Sequence, residues 1–286
     1  MPVPAIIGVT RFSVDPLSII QQSLTEDEMH RRRTAVYVPA RLTSRLALFR
    51  AFALPSLRSA AMRHPNFIHL IAYSSGLPPD IRASLHEISR PHRPWLQLLE
   101  VHPQEKFVDK VRDTVMAIAG GQVAFNFRID DDDAISPDFV DAVVLASTSA
   151  PEGTVLSFDL GCYVQRIADD RFTVYDFDYP KIAIGLGVFC GATSSECVFD
   201  LPVHTKIPAE RIVHIRDQNY WIRTLHSHND SGTRSASVQP VDGNNAVALL
   251  RPRFGHLSIA DALRSLSIAT EERRAEIASK ILFHIQ

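Results

Sequence analysis

Four consecutive acidic residues, Asp130 to Asp133, are the group whose type and spacing point most directly to chemistry. Carboxylates packed this closely repel one another and raise each other's pKa, and a divalent cation removes that penalty. Carboxylate oxygens suit Mg²⁺ and Mn²⁺, which commonly also hold substrate phosphates. A solvated acidic loop is the alternative interpretation of such a run. The flanking sequence decides in favour of a metal site.

The segments on either side of the acids predict a strand and a helix. Residues 123–129 are rich in β-branched and aromatic side chains, and the run is short enough for a buried strand. Ser136 is placed to cap a following helix, Pro137 suits its first turn, and apolar side chains recur at helical spacing from Phe139. The acids are therefore expected at the carboxyl end of a strand, where open α/β sheets bind ligands.

Composition narrows the class of protein. The 286 residues are 45% hydrophobic and 22% charged, which is ordinary for a soluble globular enzyme. The 30 basic and 32 acidic side chains nearly balance, which argues against a dedicated nucleic-acid binder. No apolar run approaches the ~20 residues of a membrane span, and the start of the chain lacks the basic region of a signal peptide. We expect a cytoplasmic enzyme, while the basic run 31–33 leaves peripheral contact with the inner face of the membrane open.

The elements that must position the acids follow a regular order. Strand patterns at 6–10, 67–73, 95–101 and 123–129 alternate with helix patterns at 42–57, 80–89 and 106–119. This alternation predicts an α/β fold with a mainly parallel sheet flanked by helices. No glycine-rich dinucleotide loop and no P-loop follows the first strand, so phosphates must be bound by other means.

The second half of the chain is less regular. A strand is predicted at 155–159, a hairpin at 162–175, a loop-rich stretch at 180–208 and a polar, mobile stretch at 232–245. Two C-terminal helices start near Ser258 and Thr270, and the apolar face of the second, from Ile277 to Ile285, is explained by helix packing or a homodimer contact. We find no internal repeat and no linker, which predicts one domain over 1–286.

Several blocks resemble a known family. Asp130, Asp132 and Asp133 followed by Pro137 resemble the metal motif of glycosyltransferases with the glycosyltransferase-A fold. Most of the chain resembles, more closely, the putative rhamnosyltransferase family of bacterial polysaccharide synthesis. The blocks concerned are Arg41 to Phe49, Leu54 to Leu57, Phe67, Ser74, Leu77-Pro78, Arg128 to Asp133 and Trp221 to Ser231.

The resemblance implies a metal-dependent transferase that moves a sugar from a nucleoside-diphosphate sugar to a glycan or lipid-linked glycan acceptor. Residues 1–135 would bind the donor, and residues 136–286 would bind the acceptor and supply the C-terminal helices. Mn²⁺ or Mg²⁺ would stabilise the negative charge that develops on the leaving diphosphate. A nucleotidyltransferase or phosphohydrolase, and a catalytically silent nucleotide-sugar binder, stay open as alternatives.

The donor site is assigned to residues near the strand ends. Asp132 is expected to bind the metal, and Asp130 to hold the ribose or the metal. Asp131, Thr10, Arg11 and Ser74 complete the predicted nucleotide contacts. Relatives often carry an acidic pair after the second strand, where this chain has Ser74, Ser75 and Gly76, so the nucleotide is not identified.

Two further assignments fall in the second half. His226 and His228 lie two residues apart, which puts both imidazoles on one face of an extended segment. The resemblance and the need for more ligands favour His228 as a metal ligand, with His226 orienting a neighbour. An acceptor hydroxyl needs a base if the reaction inverts configuration, and Asp217 is favoured over Asp159, Glu196 and Asp200 because it precedes the Trp221 block.

Overall fold

The computed structural model describes residues 3–19, 25–168, 170–203, 206–226 and 239–267. The strands are β1 (Ala5–Phe12), β2 (Phe67–Ser74), β3 (Leu96–Val101), β4 (Ala124–Arg128), β5 (Ala134–Ile135), β6 (Val155–Phe158), β7 (Leu160–Ala168), β8 (Arg171–Asp178), β9 (Gly187–Cys190), β10 (Ile212–Ile215), β11 (Trp221–Leu225) and β12 (Val241–Asp242). The helices are α1 (Pro16–Ile19), α2 (Glu26–Val36), α3 (Pro39–Leu48), α4 (Leu54–Arg63), α5 (Pro79–Ser89), α6 (Phe107–Ala119), α7 (Phe139–Ala146), α8 (Gly243–Phe254) and α9, described over 259–267.

A seven-stranded sheet has the order β10-β6-β9-β4-β1-β2-β3. Pairing is parallel between β1, β2, β3 and β4 and between β6 and β10, and only β9 runs the other way. The carboxyl ends of the six parallel strands therefore share one edge. The predicted α/β fold with a mainly parallel sheet flanked by helices is confirmed.

Helices cover both faces of this sheet because its strands are apolar on both faces. Along β1, Ile6 packs into one buried cluster while Ile7 and Val9 pack into another, as alternate side chains of a strand must. The first cluster contains the apolar face of α3 and α4, and the second contains that of α6. The predicted long helix from Leu42 to Leu57 is present, with a π-helical segment, Phe49–Ala53, between α3 and α4.

A second sheet of order β12-β8-β7-β11-β5 packs beside the first. Strands β7 and β8 form the predicted antiparallel hairpin. Trp221 on β11 joins the two sheets, since its indole N–H donates to the carbonyl of Phe158 at 2.8 Å. Its ring lies against Gly161, where an added Cβ would come within 2.0 Å of ring atoms, so only glycine fits there.

Two local predictions were wrong. Strand β9 lies inside the stretch predicted as loop, because four residues paired between β4 and β6 leave no periodic pattern. Helix α7 begins at Phe139 with Asp138, not Ser136, at its N-cap, and the carbonyl of Ser136 accepts from the amide of Phe139.

Part of the sequence interpretation falls outside the described residues. This applies to His228, to residues 232–238 of the polar stretch 232–245, and to the last helix with its apolar face from Ile277 to Ile285. Of the polar stretch, residues 243–245 belong to α8. None of the described helices combines the length and apolar character needed to span a bilayer.

Candidate active site

The acid cluster, Asp130 to Asp133, follows β4 at the shared carboxyl edge of the parallel strands. The adjoining β1 fixes the backbone just before it. The amide of Ile129 donates to the carbonyl of Val9 at 3.2 Å, and the carbonyl of Ile129 accepts from the hydroxyl of Thr10 at 2.9 Å. The chain then turns into β5, so the cluster lies at the position that the sequence predicts.

Asp131 and Asp133 connect the cluster to two different parts of the protein. Asp131 is fully buried, and Nε and Nη2 of Arg45 lie 2.7 and 2.5 Å from its two oxygens. Asp133 is also buried, and its Oδ1 accepts from the amide of Thr224 on β11 at 3.2 Å. These contacts anchor the cluster to α3 on one side and to the second sheet on the other.

The other two carboxylates differ in exposure. The side chain of Asp130 is 41% exposed, and its Oδ1 lies 3.6 Å from Nη2 of Arg128. Asp132 is buried, and its Oδ2 lies 2.8 Å from Nε2 of His226, just after β11. His226 therefore contacts a residue of the acid cluster, and its role in orienting that residue stays a prediction.

Burial and mutual repulsion set the protonation of the cluster. Burial raises the pKa of Asp131 to about 7, although Arg45 acts in the opposite direction. Burial and the charges of Asp132 and Asp130 raise the pKa of Asp133 well above its usual value. Burial alone would raise the pKa of Asp132, but the hydrogen bond from His226 and the charge of Arg45 outweigh it and lower that pKa. Asp132 is therefore the buried acid of the cluster that stays ionised most readily.

An open pocket with a volume of about 860 Å³ lies against the cluster and is lined by Asp130, Asp132 and Asp133. Its cationic side chains outnumber these acids, which favours an anionic ligand. They are Arg11, Arg32, Arg41, Arg45, Arg128, Lys181 and Arg223. The apolar part of the wall includes Val14, Ile19, Val36, Ile182 and Ile184. This combination suits a ligand with a charged group and an apolar or ring-shaped part.

The pocket offers some, but not all, of the oxygen ligands that a hard divalent cation needs. Asp130 and Asp132 offer carboxylate oxygens, the ligand type of Mg²⁺ and Mn²⁺. Within the described ranges, no group of three or more His, Cys, Asp or Glu side chains is arranged to hold a metal ion by itself. An ion here would need further oxygens from phosphate or water, which is the usual way in which Mg²⁺ is held beside a phosphorylated substrate.

The residues predicted to contact the nucleoside are only partly brought to the pocket. Arg11 lines it, with the guanidinium 5.7 Å from the ring centre of Phe199. Thr10 is buried beneath it, and its hydroxyl lies 3.0 Å from Nε2 of His69. Ser74 is buried as well, and its hydroxyl accepts from that of Tyr37 at 2.7 Å. Neither Thr10 nor Ser74 is among the lining residues, and their role stays a prediction.

The carboxylates considered as the base lie away from the pocket lining. Asp217 follows β10, and both of its oxygens lie 3.1 Å from the hydroxyl of Tyr220. The other three pair with basic side chains: Asp159 with His214 and Arg216, Glu196 with Arg211, and Asp200 with Arg112. The assignment of Asp217 stays a prediction, as does that of Asp131, which is buried against Arg45 and does not line the pocket.

Most of the cationic side chains of the pocket were not among the predicted site residues. Arg41 and Arg45 lie four residues apart on the otherwise apolar face of α3, and that interruption of the apolar face was the available signal. Lys181 and Arg223 carried no comparable signal, because the fold of the second half brings them to the pocket.

Comparison with known proteins adds a family. A sequence model described as "Putative rhamnosyl transferase" matches residues 5–237, which is most of the chain. A search among curated proteins gave no match.

Among solved structures, the chain is similar to TarS from S. aureus (12% identity, 77% of this chain, TM-score 0.34) and to a mannosyltransferase from Pyrobaculum calidifontis in complex with GDP-Man and Mn²⁺ (12% identity, 96% of this chain and 75% of that one, TM-score 0.36). It is also similar to the inositol-1-phosphate CTP transferase from T. maritima (10% identity, 82% of this chain and 93% of that one, TM-score 0.35). The chain spans 36% of the length of TarS. At these TM-scores, none of the three supports a functional argument.

Proposed function

The chain belongs to the putative rhamnosyl transferase family, and from this premise we propose that it transfers a sugar, with rhamnose the first candidate, from a nucleoside-diphosphate sugar to a glycan acceptor. The proposal includes a divalent metal, Mn²⁺ or Mg²⁺, at the acid cluster. It also includes an acceptor from polysaccharide or cell-envelope synthesis, either free or lipid-linked. The family supports the reaction class, and the pocket supports the donor class.

The observation that carries the proposal is that Asp130 and Asp132 line the same pocket as a group of cationic side chains. The pocket lies at the carboxyl edge of the parallel strands, where open α/β sheets bind ligands. Its volume of about 860 Å³ is in the range of pockets that bury a molecule the size of a nucleotide sugar. A diphosphate is the part of such a donor that needs both cations and a metal.

The cationic side chains suit the diphosphate. Arginine presents planar N–H groups that match phosphate oxygens, and such charge-assisted bonds are about twice as strong as neutral ones. Arg11 lies near the carboxyl end of β1 and Arg128 is the last residue of the neighbouring parallel strand β4, while Arg41 and Arg45 come from α3. Donors fixed in this way on strands and a helix are already oriented when charge develops on the leaving group, which lowers the barrier.

The metal is assigned to Asp132, with Asp130 beside it and His228 as a third proposed ligand. Asp132 has the lowered pKa of a carboxylate that is ionised at neutral pH, and His226 holds one of its oxygens. When bound, the metal would stabilise the negative charge of the departing diphosphate. Asp130 is half-exposed at the pocket, and we also propose it as the residue that contacts the ribose.

The chemistry requires one bond to break and one to form. The C–O bond between the anomeric carbon and the diphosphate breaks, and its electron pair leaves with the diphosphate oxygen. The acceptor oxygen bonds to the anomeric carbon, and its proton passes to a base. Asp217 is our candidate for that base, supported by its position two residues after β10, whose carboxyl end lies at the same edge of the sheet as the acid cluster.

A cytoplasmic site of action belongs to the same proposal. It is supported by three cysteines, Cys162, Cys190 and Cys197, that are buried as free thiols. Proteins with such thiols are typical of reducing compartments. Contact with the inner face of a membrane would bring the enzyme to a lipid-linked acceptor.

A thermal-shift panel tests the donor class. Nucleoside diphosphates and their sugars, including UDP- and dTDP-linked sugars, are added with Mn²⁺ and with EDTA. We expect one nucleotide series to raise the melting temperature in Mn²⁺ and to do so less in EDTA, since a ligand that binds only the folded state stabilises it. A panel in which no nucleotide raises the melting temperature would contradict the proposal.

A further inference from the structure

Lys181 has an unusual backbone conformation at the edge of the pocket. Its φ is +63°, and among the described residues only Ser13 and Asp170 share a positive φ without being glycine. For a residue with a long side chain this conformation costs about 1 kcal/mol or more, and such strain persists only where the surroundings enforce it. Lys181 lies in the turn 179–184, and every residue of this turn lines the pocket.

A buried carboxylate holds this turn. The amide of Lys181 donates to the hydroxyl of Ser157 at 2.7 Å, and that hydroxyl donates to Oδ1 of Asp159 at 2.5 Å. The carbonyl of Asp159 accepts from the amide of Tyr179 at 2.8 Å. Asp159 is fully buried and directly follows β6, so the turn is tied to one fixed residue at both Tyr179 and Lys181.

Asp159 is itself oriented from β10 and the residue that follows it. Its Oδ2 lies 2.8 Å from Nδ1 of His214 and 3.3 Å from Nη1 of Arg216. Its amide donates to the carbonyl of Ile215 at 3.1 Å. Every polar atom of Asp159 thus has a partner, and each partner restricts the position of the turn that carries Lys181.

The charge of Lys181 is available to a ligand. Within the part of the chain that the structure describes, no acidic side chain lies within ion-pair distance of its ammonium group. Arg45, by contrast, lines the same pocket but is paired with Asp131. A lysine that lines a pocket and has no acidic partner among the described residues is suited to bind an anion from the ligand.

We propose that Lys181 binds the diphosphate of the donor, and that Asp159 is a positioning residue that acts through Ser157 to hold Lys181 in its strained conformation. This inference rests on the proposed function for the identity of the anion. It gives Asp159 a role in positioning Lys181 instead of activating the acceptor. It also adds to the diphosphate site a cationic residue from the second half of the chain.

Inorganic pyrophosphate in EDTA, titrated by calorimetry, tests the contact without sugar transfer or metal. We expect Lys181→Met to weaken pyrophosphate binding by about 10-fold, the usual effect of losing one charge-assisted bond, and Lys181→Arg to retain most of it. Lys206→Met is the matched control, because Lys206 is exposed and outside the pocket lining. Equal affinity in the wild type and Lys181→Met, or no binding to the wild type, would overturn the proposal.

Two further variants separate binding from structure. Lys181→Gly should lose the same affinity with a melting temperature no lower than wild type, since glycine adopts positive φ without strain. Ser157→Ala should weaken pyrophosphate binding in the wild type but not in the Lys181→Met background. A melting temperature that falls in Lys181→Gly with affinity intact, or an equal effect of Ser157→Ala in both backgrounds, would make this network structural only. Pyrophosphate binding that depends on Lys181 without any sugar transfer would contradict the proposed function and leave this inference standing.

Discussion

The pocket has two linings that are built in different ways. The first-half lining, Arg11, Arg32, Arg41 and Arg45, comes from β1, α2 and α3, which all belong to the first βα unit, before β2. The second-half lining, residues 179–184 and Arg223, comes from a turn and from β11. The first comes from helices and a strand with local sequence patterns, whereas the second depends on contacts between residues far apart in the chain.

Charge pairing follows the same division. In the first-half lining, the side chain of Arg45 is only 11% exposed and is paired with a fully buried carboxylate. In the second half, the side chain of Arg216, which supports Asp159, is 49% exposed. One lining is therefore held by a buried ion pair, and the other by a buried carboxylate whose basic partners reach solvent. Substitutions that break these ion pairs should therefore lower the unfolding free energy by different amounts in the two halves.

The largest effect is expected at the acid cluster that the two linings share. Asp132→Asn keeps the shape of the side chain and its hydrogen bond to His226 but removes the charge. We expect Mn²⁺-dependent donor binding to fall by about 100-fold or more. Loss of a residue that only supports a metal ligand already weakens metal affinity by about 10- to 100-fold, and loss of the ligand itself should weaken it at least as much. Calorimetry with Mn²⁺ measures this, and Asp141→Asn, at a half-exposed acid paired with Arg63, is the control. Unchanged Mn²⁺ dependence would remove Asp132 from the metal site.

In the first-half lining, Arg45→Gln should destabilise the fold. Loss of one partner of a buried pair leaves Asp131 without its cation, which typically costs about 3 kcal/mol or more of unfolding free energy. Urea unfolding at pH 7.5 measures the change. The double variant Arg45→Met with Asp131→Leu should recover most of the loss, because it removes both charges. A loss below about 1 kcal/mol for Arg45→Gln would mean that the pair contributes no more than a surface ion pair does.

In the second half, Asp217→Asn tests the proposed base. General-base catalysis contributes about 100-fold or more, so kcat should fall by at least that factor with the donor affinity unchanged. Tyr220→Phe removes the hydroxyl that contacts Asp217 without removing the carboxylate, and it should have a much smaller effect. If the two variants lose the same modest activity, the contact between them is structural, and the base is another residue.

A smaller effect is expected for the proposed third ligand. His228→Ala should weaken Mn²⁺ affinity by about 10-fold, in line with the usual cost of disturbing a ligand shell. Ser227→Ala is the neighbouring control and should leave Mn²⁺ affinity unchanged. Equal Mn²⁺ titrations for the wild type and His228→Ala would restrict the metal site to the acid cluster.

The smallest effect is expected at Arg216, the exposed support of Asp159. Arg216→Gln should cost less than about 1 kcal/mol of unfolding free energy, because half-exposed ion pairs are screened by solvent. Urea unfolding of this variant beside Arg45→Gln compares the two halves directly. A loss as large as that of Arg45→Gln would remove the distinction drawn between them.

The sequence predicts the first-half lining better than the second for a physical reason. Each of the four βα units is a local pattern of apolar residues bounded by turn signals, so the strands and the edge that carries the acids could be located. The direction of individual side chains could not. Thr10 ends the first predicted strand and Ser74 directly follows the second, but both side chains point into the protein, where His69 and Tyr37 bind their hydroxyls.

The second half escapes prediction because its elements depend on distant partners. Strand β9 has four residues and exists only through pairing with β4 and β6. The turn at Lys181 depends on Ser157, which is 24 residues away, and the contact between Asp132 and His226 joins residues 94 apart. Such contacts leave no periodic pattern in the sequence. The family resemblance indicated the donor class, but it did not indicate Lys181.

Release of nucleoside diphosphate from a panel of UDP-, dTDP- and GDP-linked sugars tests the central claim most directly. The wild type, with Mn²⁺ and a glycan acceptor, should release the diphosphate from one donor, while Asp132→Asn under the same conditions should not. No release from any donor, or equal release from the wild type and Asp132→Asn, would contradict the claim that this pocket transfers sugar with a metal at the acid cluster.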